Sequence, residues 1–481
     1  AALVPHSNHS LELEREAETD RRSWKPVWRS HDREEPTELA SRWLVLCDKT
    51  GFGDQVIAEL RARGHSVVVV RSGDSYRSVS DDEYVISPEL GAMDYESLLR
   101  DLVRSDRVPD RVAHLALLAL DDTDFRPGSS FFHRNQELGF QSLVHLAQAW
   151  AGSGVQPPLH INVATVSSRS FPGSEAPRWP EQATVLGPVQ VLHREFAGAR
   201  ASTFNTERSS QRRALAGADH ARARRLRKER KPAEAELGSR LLTEIVDELT
   251  APPHNQTVAI RGDRRYVQEV RHVRLPESDS TPLRSAGVVL ITGGLGGIGL
   301  TVAEQLHDTA GARLALFSRS PLPERDRWEE IEQRLGPNHP TVERVGRVRA
   351  LEEAGAEVMV VTGDVTNPES VNQALTEVRS RFGAINAVVH AAGIIDDSLM
   401  VAKSPEDMDD VLAPKVYGTL VLDQATAEDD LDLFVVFSST STYTAPMGQV
   451  DYVSANAFLN AYAESRAAAG ANHVRSINWG V

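Results

Sequence analysis

The 481-residue chain has one cysteine, Cys47, so it can form no internal disulfide. Cys47 lies in the apolar run 43–47 and is expected to be a small buried hydrophobe, not a nucleophile. The sequence has no apolar stretch near the ~20 residues a membrane span needs. It also has no signal-peptide core at its N-terminus. These absences point to a soluble protein of a reducing, cytoplasmic compartment, with no membrane partner. Positive charge is in deficit as well: 53 Lys and Arg face 68 Asp and Glu, a net −15, which argues against nucleic-acid binding. No metal site is expected from the spacing of His, Cys, Asp and Glu.

Polar and charged residues dominate 1–23, which is expected to be a linker or tail. Residues 24–275 form a first α/β unit. A strand candidate at 42–47 leads into Gly51 and Gly53, a helical pattern (Val56, Ile57, Leu60) and a second strand at 67–70. This glycine turn lacks a third glycine, so no cofactor is expected there. The stretch 207–236 breaks the pattern, with seven basic residues between Arg222 and Lys231 and no aromatics interleaved for base stacking. It is expected to be a solvated loop or helix face. Arg261-Gly262-Asp263 is expected to be only a hairpin turn. Residues 276–286 have linker composition. From 287 to 481, strand candidates at 288–292, 313–317, 357–361, 386–390, 433–437 and 474–478 alternate with helical patterns, the signature of a doubly wound parallel sheet.

Two constellations in this second unit carry chemistry. The first is the run Thr292, Gly293, Gly294, Leu295, Gly296, Gly297, Ile298, Gly299, which follows a strand and opens a helix. Glycines there let backbone N–H groups approach a pyrophosphate. The next strand ends at Ser318 and Arg319, where an arginine suits a 2′-phosphate and favours NADPH over NADH. Asp364 and Val365 end the third strand, where an Asp can cap a helix or meet the adenine. His390, Ala391, Ala392 and Gly393 end the fourth, with small residues leaving room for the cofactor. The second constellation follows the apolar strand 431–437. Ser438 and Ser439 sit at its end, and Tyr452 and Asn456 share one face of the following helix. A hydroxyl facing a phenol and an amide suits proton delivery to a carbonyl oxygen.

The glycine loop 292–299, Asp364-Val365, the 390–393 run and Phe437 through Tyr452-x-x-x-Asn456 together resemble the short-chain dehydrogenase/reductase superfamily. More narrowly, they resemble the ketoreductase domain of a modular type I polyketide synthase. Free-standing members typically carry Tyr-x-x-x-Lys. Here the position is Asn456, and a lysine, Lys415, stands upstream in 414–418. The resemblance implies two Rossmann-like subdomains: a truncated, cofactor-free structural one at 24–275 and a catalytic NADPH-binding one at 287–481. The family continues beyond the residues matching 477–481 into a lid helix and a last strand, so the catalytic subdomain is expected to be C-terminally truncated.

The implied reaction is NADPH-dependent reduction of a β-ketoacyl group, carried on the phosphopantetheine arm of an acyl carrier protein, to a β-hydroxyacyl group. Other synthase domains are the implied neighbours. Tyr452 is the expected general acid; a free phenol titrates at about 10 and needs help. Lys415 is expected to supply that help and to contact the cofactor. Ser439 is expected to bond the developing oxyanion, and Asn456 to order a water or the lysine. Ile395, Asp396 and Asp397 stand where one stereochemical class has Leu-Asp-Asp, while the opposite class's tryptophan position holds Thr444. A D-configured product is therefore expected. The bland reading of Asp396 and Asp397 is N-capping of a helix at 400–401. Two other functions compete: a free-standing reductase of a small carbonyl, and a reduction-incompetent scaffold domain.

Overall fold

The structure, a computed structural model, describes residues 23–36, 39–118, 130–156, 158–166, 168–171, 177, 179–206, 240–262, 264–275, 282–471 and 473–480. The tail 1–22, the basic stretch 207–236, Asp263 and linker residues 276–281 lie outside them.

Two sheets organise the chain. The first contains β1 (Trp24–Ser30), β2 (Arg42–Leu46), β3 (Ser66–Ser72), β4 (Arg77–Ser80), β5 (Glu83–Ile86), β6 (Arg111–His114), β7 (Leu159–Val166), β8 (Ala199–Thr206), β9 (Thr257–Arg261) and β10 (Arg264–His272). The second contains β11 (Val288–Thr292), β12 (Arg313–Ser318), β13 (Val358–Thr362), β14 (Ala387–His390), β15 (Leu433–Ser439) and β16 (Val474–Trp479). Its spatial order is β13-β12-β11-β14-β15-β16, parallel throughout. That is the doubly wound order in which a ligand sits beyond the strands' carboxyl ends, at the switch point between β11 and β14. β11 is Val-Val-Leu-Ile-Thr with every residue buried, as a parallel strand covered on both faces requires.

The first sheet contains the same arrangement. Its six inner strands run β5-β3-β2-β6-β7-β8, all parallel, and β9, β10, β1 and β4 extend it to ten strands. Truncation is confined to the link between β3 and β5. There the short strand β4 stands where the second sheet has two helices, Trp328–Leu335 and Pro340–Glu353.

The two units share core. The helix Val450–Ala468, which carries Tyr452 and Asn456, is buried over nearly all of Val450–Ala463. It lies against the turn Pro180–Val185 and the helix Leu186–Glu195 of the first unit. Gly187 permits the approach, since a Cβ there would run into the Val450 carbonyl and the Ser454 hydroxyl. Ala183, Leu186, Ala457 and Ala461 fill the remaining contact. A helix buried over almost its whole surface needs neighbours on every side, and here the first unit supplies one of the surrounding walls.

Candidate functional site

A cleft of about 360 Å³ opens at the carboxyl ends of β11, β12, β13 and β14. Of the residues expected to hold a cofactor, Gly293, Leu295, Gly296, Ser318, Arg319, Asp364, Val365, Ala391, Ala392 and Gly393 line it. The glycine turn is built for close approach. Gly293 has φ +67°, and a Cβ on Gly294 would lie 2.6 Å from the Ile291 carbonyl oxygen and 2.9 Å from Leu316 Cα. The helix Gly297–Ala310 begins at Gly296 with no side-chain cap, so its first N–H groups are free for an anion. Thr292 and His390 lie below the cleft, both essentially fully buried. Thr292 Oγ1 and His390 Nδ1 are 2.6 Å apart, and His390 Nε2 is 2.9 Å from the Pro414 carbonyl. Burial, then the Lys415 charge, pulls the His390 imidazole down to about 3, so it is neutral here. It ties β11 and β14 to the helix Pro405–Ala425 beside Lys415. Asp364 does not cap a helix: its Oδ1 accepts from Thr366 N and Oγ1, while Asn367 caps the helix Pro368–Phe382.

Arg319 is exposed and pairs with no carboxylate among the described residues. A second arginine, Arg344, also lines the cleft. Two other arginines on its helix are engaged, Arg347 by Glu304 and Arg349 by Glu332, whereas Arg344 has no such partner among the described residues. Sequence reading gave no signal for it, because Arg344 lies 25 positions beyond Arg319 on an intervening helix. An uncapped helix start, glycines without room for a Cβ and two unneutralised guanidinium groups fit a dinucleotide carrying an additional phosphate.

Within the second constellation Lys415 packs beside Gly393 and faces the Tyr452 ring. Lys415 follows Pro414 inside the helix Pro405–Ala425 and is buried. Its Nζ donates to the Phe437 carbonyl at 2.7 Å and stands 5.4 Å from the Tyr452 ring centroid. Burial lowers the Lys415 ammonium to about 8. Ser439 Oγ accepts from Ser441 N at 3.0 Å, which leaves its own proton free to donate elsewhere. Asn456 Nδ2 donates to the Tyr452 carbonyl at 2.7 Å. Its Oδ1 is buried with no hydrogen-bond partner among the described residues.

Ile395, Asp396 and Asp397 are exposed on the loop after β14. The N-cap reading of the two aspartates is corrected: the helical turn Met400–Ala402 starts at Leu399, and neither aspartate caps it. Asp396 instead offers its backbone carbonyl to Lys403 Nζ at 2.5 Å. Lys403 also pairs with Asp451 at 2.7 Å, both side chains fully buried. Desolvation raises the Asp451 carboxyl, and Lys403 opposes that rise. Elsewhere, burial pushes the Cys47 thiol up to about 12, as suits an inert core residue. No helix among the described residues is long and apolar enough to cross a membrane, and no metal-binding cluster occurs among them.

Residues 287–481 match the family model described as KR domain, and 44–162 match one described as beta-ketoacyl synthase-like, N-terminal. Polyketide synthase PksN of Bacillus subtilis (strain 168) is 36% identical over 211 residues, covering 44% of this chain and 4% of that protein. The 6-methylsalicylic acid synthase of Penicillium patulum is 38% identical over 209 residues, covering 43% of this chain and 11% of that protein. The chain thus spans a small part of these relatives. Among solved structures, the first ketoreductase of the tylosin PKS superposes with a TM-score of 0.66 at 25% identity, over 96% of this chain and 82% of the other. An N-terminal ketoreductase from the macrolactin assembly line superposes at 0.73 and 22% identity, over 95% and 83%, a likeness of fold.

Proposed function

The chain belongs to the KR domain family, the ketoreductases of polyketide synthases, through residues 287–481, and from that premise we propose that it reduces a β-ketoacyl group on an acyl carrier protein to a β-hydroxyacyl group with NADPH. The observation that carries this reading is a buried lysine that stands over the Tyr452 ring and packs beside Gly393, a residue of the cleft lining. Gly293, Gly296 and Arg319 would hold the dinucleotide in that cleft, and its reduced nicotinamide would supply the hydride for the carbonyl carbon. The chain's own residues handle the oxygen. Ser439 donates a hydrogen bond to it as negative charge develops. Tyr452 gives it a proton and is left as a phenolate. The Lys415 ammonium, desolvated and facing the ring, stabilises that phenolate. Phe437 O fixes the amine, and Asn456 Oδ1 is a buried acceptor available to the proton relay.

Arg319 and Arg344 select NADPH by neutralising a 2′-phosphate. Exposed Asp396 and Asp397, with Thr444 in place of a tryptophan, support the D-configured alcohol. In the parent synthase the neighbouring domains and the carrier protein are the partners, in the cytoplasm. Incubating the protein and a β-ketoacyl thioester with NADPH or NADH tests the reading. NADPH oxidation with formation of the D-alcohol is expected. An L-alcohol refutes the stereochemical assignment, equal use of NADH refutes the phosphate site, and absence of turnover refutes the enzyme.

A further inference from the structure

Two loops lie against each other near the start of the Tyr452 helix. One, Gly393–Leu399, carries Ile395, Asp396 and Asp397; the other, Ala445–Gln449, leads into the Tyr452 helix. Their apolar side chains are not held by burial: Ile395 is 56% exposed, Leu399 44% and Met447 57%. Polar contacts must therefore fix their spacing. Ser398 N donates to the Gly448 carbonyl at 3.1 Å, the direct bond between the loops. Within the same unit Lys403 links the Asp396 carbonyl to Asp451, just past the second loop. Further tethers come from the other unit of the chain. Glu195 Oε2 accepts the Met400 N–H at 2.7 Å, and Oε1 accepts the Gly448 N–H at 2.9 Å. One carboxylate thus spans both loops. Gln148 Nε2 donates to the carbonyls of Met400 and Lys403 at 3.0 and 2.9 Å, so the Met400 residue is held at its N–H and at its C=O.

Glu195 is the last residue of its helix, where the carbonyl ends disfavour a carboxylate. A residue placed against the helix dipole is held by its partners, here two charge-assisted bonds to backbone N–H groups. We propose that Glu195 and Gln148 are positioning residues. From the first unit they hold the two loops together in one arrangement at the start of the Tyr452 helix, and so fix how the acyl chain presents its carbonyl to Tyr452. This rests on the ketoreductase reading for its consequence in catalysis, but the staple itself does not.

The test compares the wild-type chain with E195A and Q148L. Amide exchange at 395–400 and 445–449 is expected to quicken about tenfold in each variant, with the rest of the protein unchanged. NADPH affinity should stay within about twofold, because the lost bonds lie outside the phosphate cleft. KM for a β-ketoacyl thioester should rise about tenfold, more than kcat falls, and the minor enantiomer should appear. Exchange rates at both loops equal to wild type overturn the staple. An unmoved KM together with an unmoved enantiomer ratio overturns the positioning role. If E195A fails to fold, E195Q is read instead: one acceptor remains, so values between wild type and full loss support the proposal and wild-type values overturn it. If the wild-type chain itself turns over no ketone, that counts against the ketoreductase reading, and amide exchange alone still decides the staple.

Discussion

The chain contains two strand–glycine turn–helix units on sheets with the same inner strand order, and among the described residues they differ in what meets the first N–H groups of the helix. In the first unit, Asp48 Oδ1 accepts from Gly53 N at 2.7 Å and Oδ2 accepts from Thr50 N at 2.8 Å. The carboxylate thus occupies the position a phosphate would take at a helix start. In the second unit no side chain caps the helix at Gly296. The next strands differ in the same sense. Arg71, near the end of β3, is bonded to Asp54 at 2.6 Å and Glu83 at 2.8 Å. Arg319, just past β12, has no acidic partner among the described residues, and the helix bearing Arg344 is the element the first unit lacks. One architecture therefore has these charges satisfied internally in the first unit and left open at the cleft of the second.

The comparison can be broken most severely at Tyr452. Tyr452→Phe should lower reduction about a thousandfold while dinucleotide titration stays near wild type; near-normal turnover removes the proposed proton donor. Paired glycine substitutions come next. Gly299→Ala places a Cβ against the Gly293 carbonyl, a backbone atom that cannot swing away, and should weaken NADPH binding about a hundredfold. Gly53→Ala meets the end of the Asp48 side chain at 2.9 Å and should leave NADPH binding unchanged. A loss of binding there would mean that the first unit is no mere scaffold. Arg319→Ala should raise the NADPH Kd about tenfold and that of NADH hardly at all, with Arg344→Ala smaller in the same direction.

Stability offers a further contrast. The Lys415 ammonium is held at about 8 against an ordinary value of 10.5. Below about 8 the folded protein carries a buried charge. As pH rises from about 8 toward 10.5, the unfolded chain binds the proton the folded one has released, so stability increases over that window. Lys415→Met removes the burden and should stabilise the fold at pH 7 by on the order of 1–3 kcal/mol, a gap that closes by the top of the window. Denaturant titrations across pH measure it, and a flat difference contradicts the assignment. The smallest effect is expected at Asp48→Ala, which loses the caps of Thr50 and Gly53 and should cost about 1 kcal/mol without creating a nucleotide site.

The second sheet was legible because its central parallel strands, such as β11 and β14, are buried apolar runs covered on both faces, and its chemistry sits at their ends. Ser439, Tyr452 and Asn456 were legible because strand-end and i, i+4 positions follow from local periodicity. Arg344, Lys403, Gln148 and Glu195 were not. Arg344 reaches the cleft from a helix inserted between strands, and Glu195 reaches Met400 and Gly448 across 205 and 253 residues. No spacing rule connects such positions. β4 and β8 were also missed: β4 is short and fully exposed, and β8 mixes Asn, Thr and Ser into a buried strand, so neither shows the alternation or apolar run that marks a strand.

The sequence by itself determined the doubly wound class of the second unit, the glycine turn and the placing of Ser439 at a strand end and of Tyr452 and Asn456 on one helix face, because backbone periodicity and steric demands act over a few residues; Lys415 entered only through the family resemblance. Only the tertiary structure decided which charges are free and which are spent. Asp48 and Arg71 are consumed within the first unit, Arg319 and Arg344 remain open in the second, and Glu195 is turned toward the loops beside Tyr452. A charge's role depends on what lies within a few ångströms of it, and packing sets that.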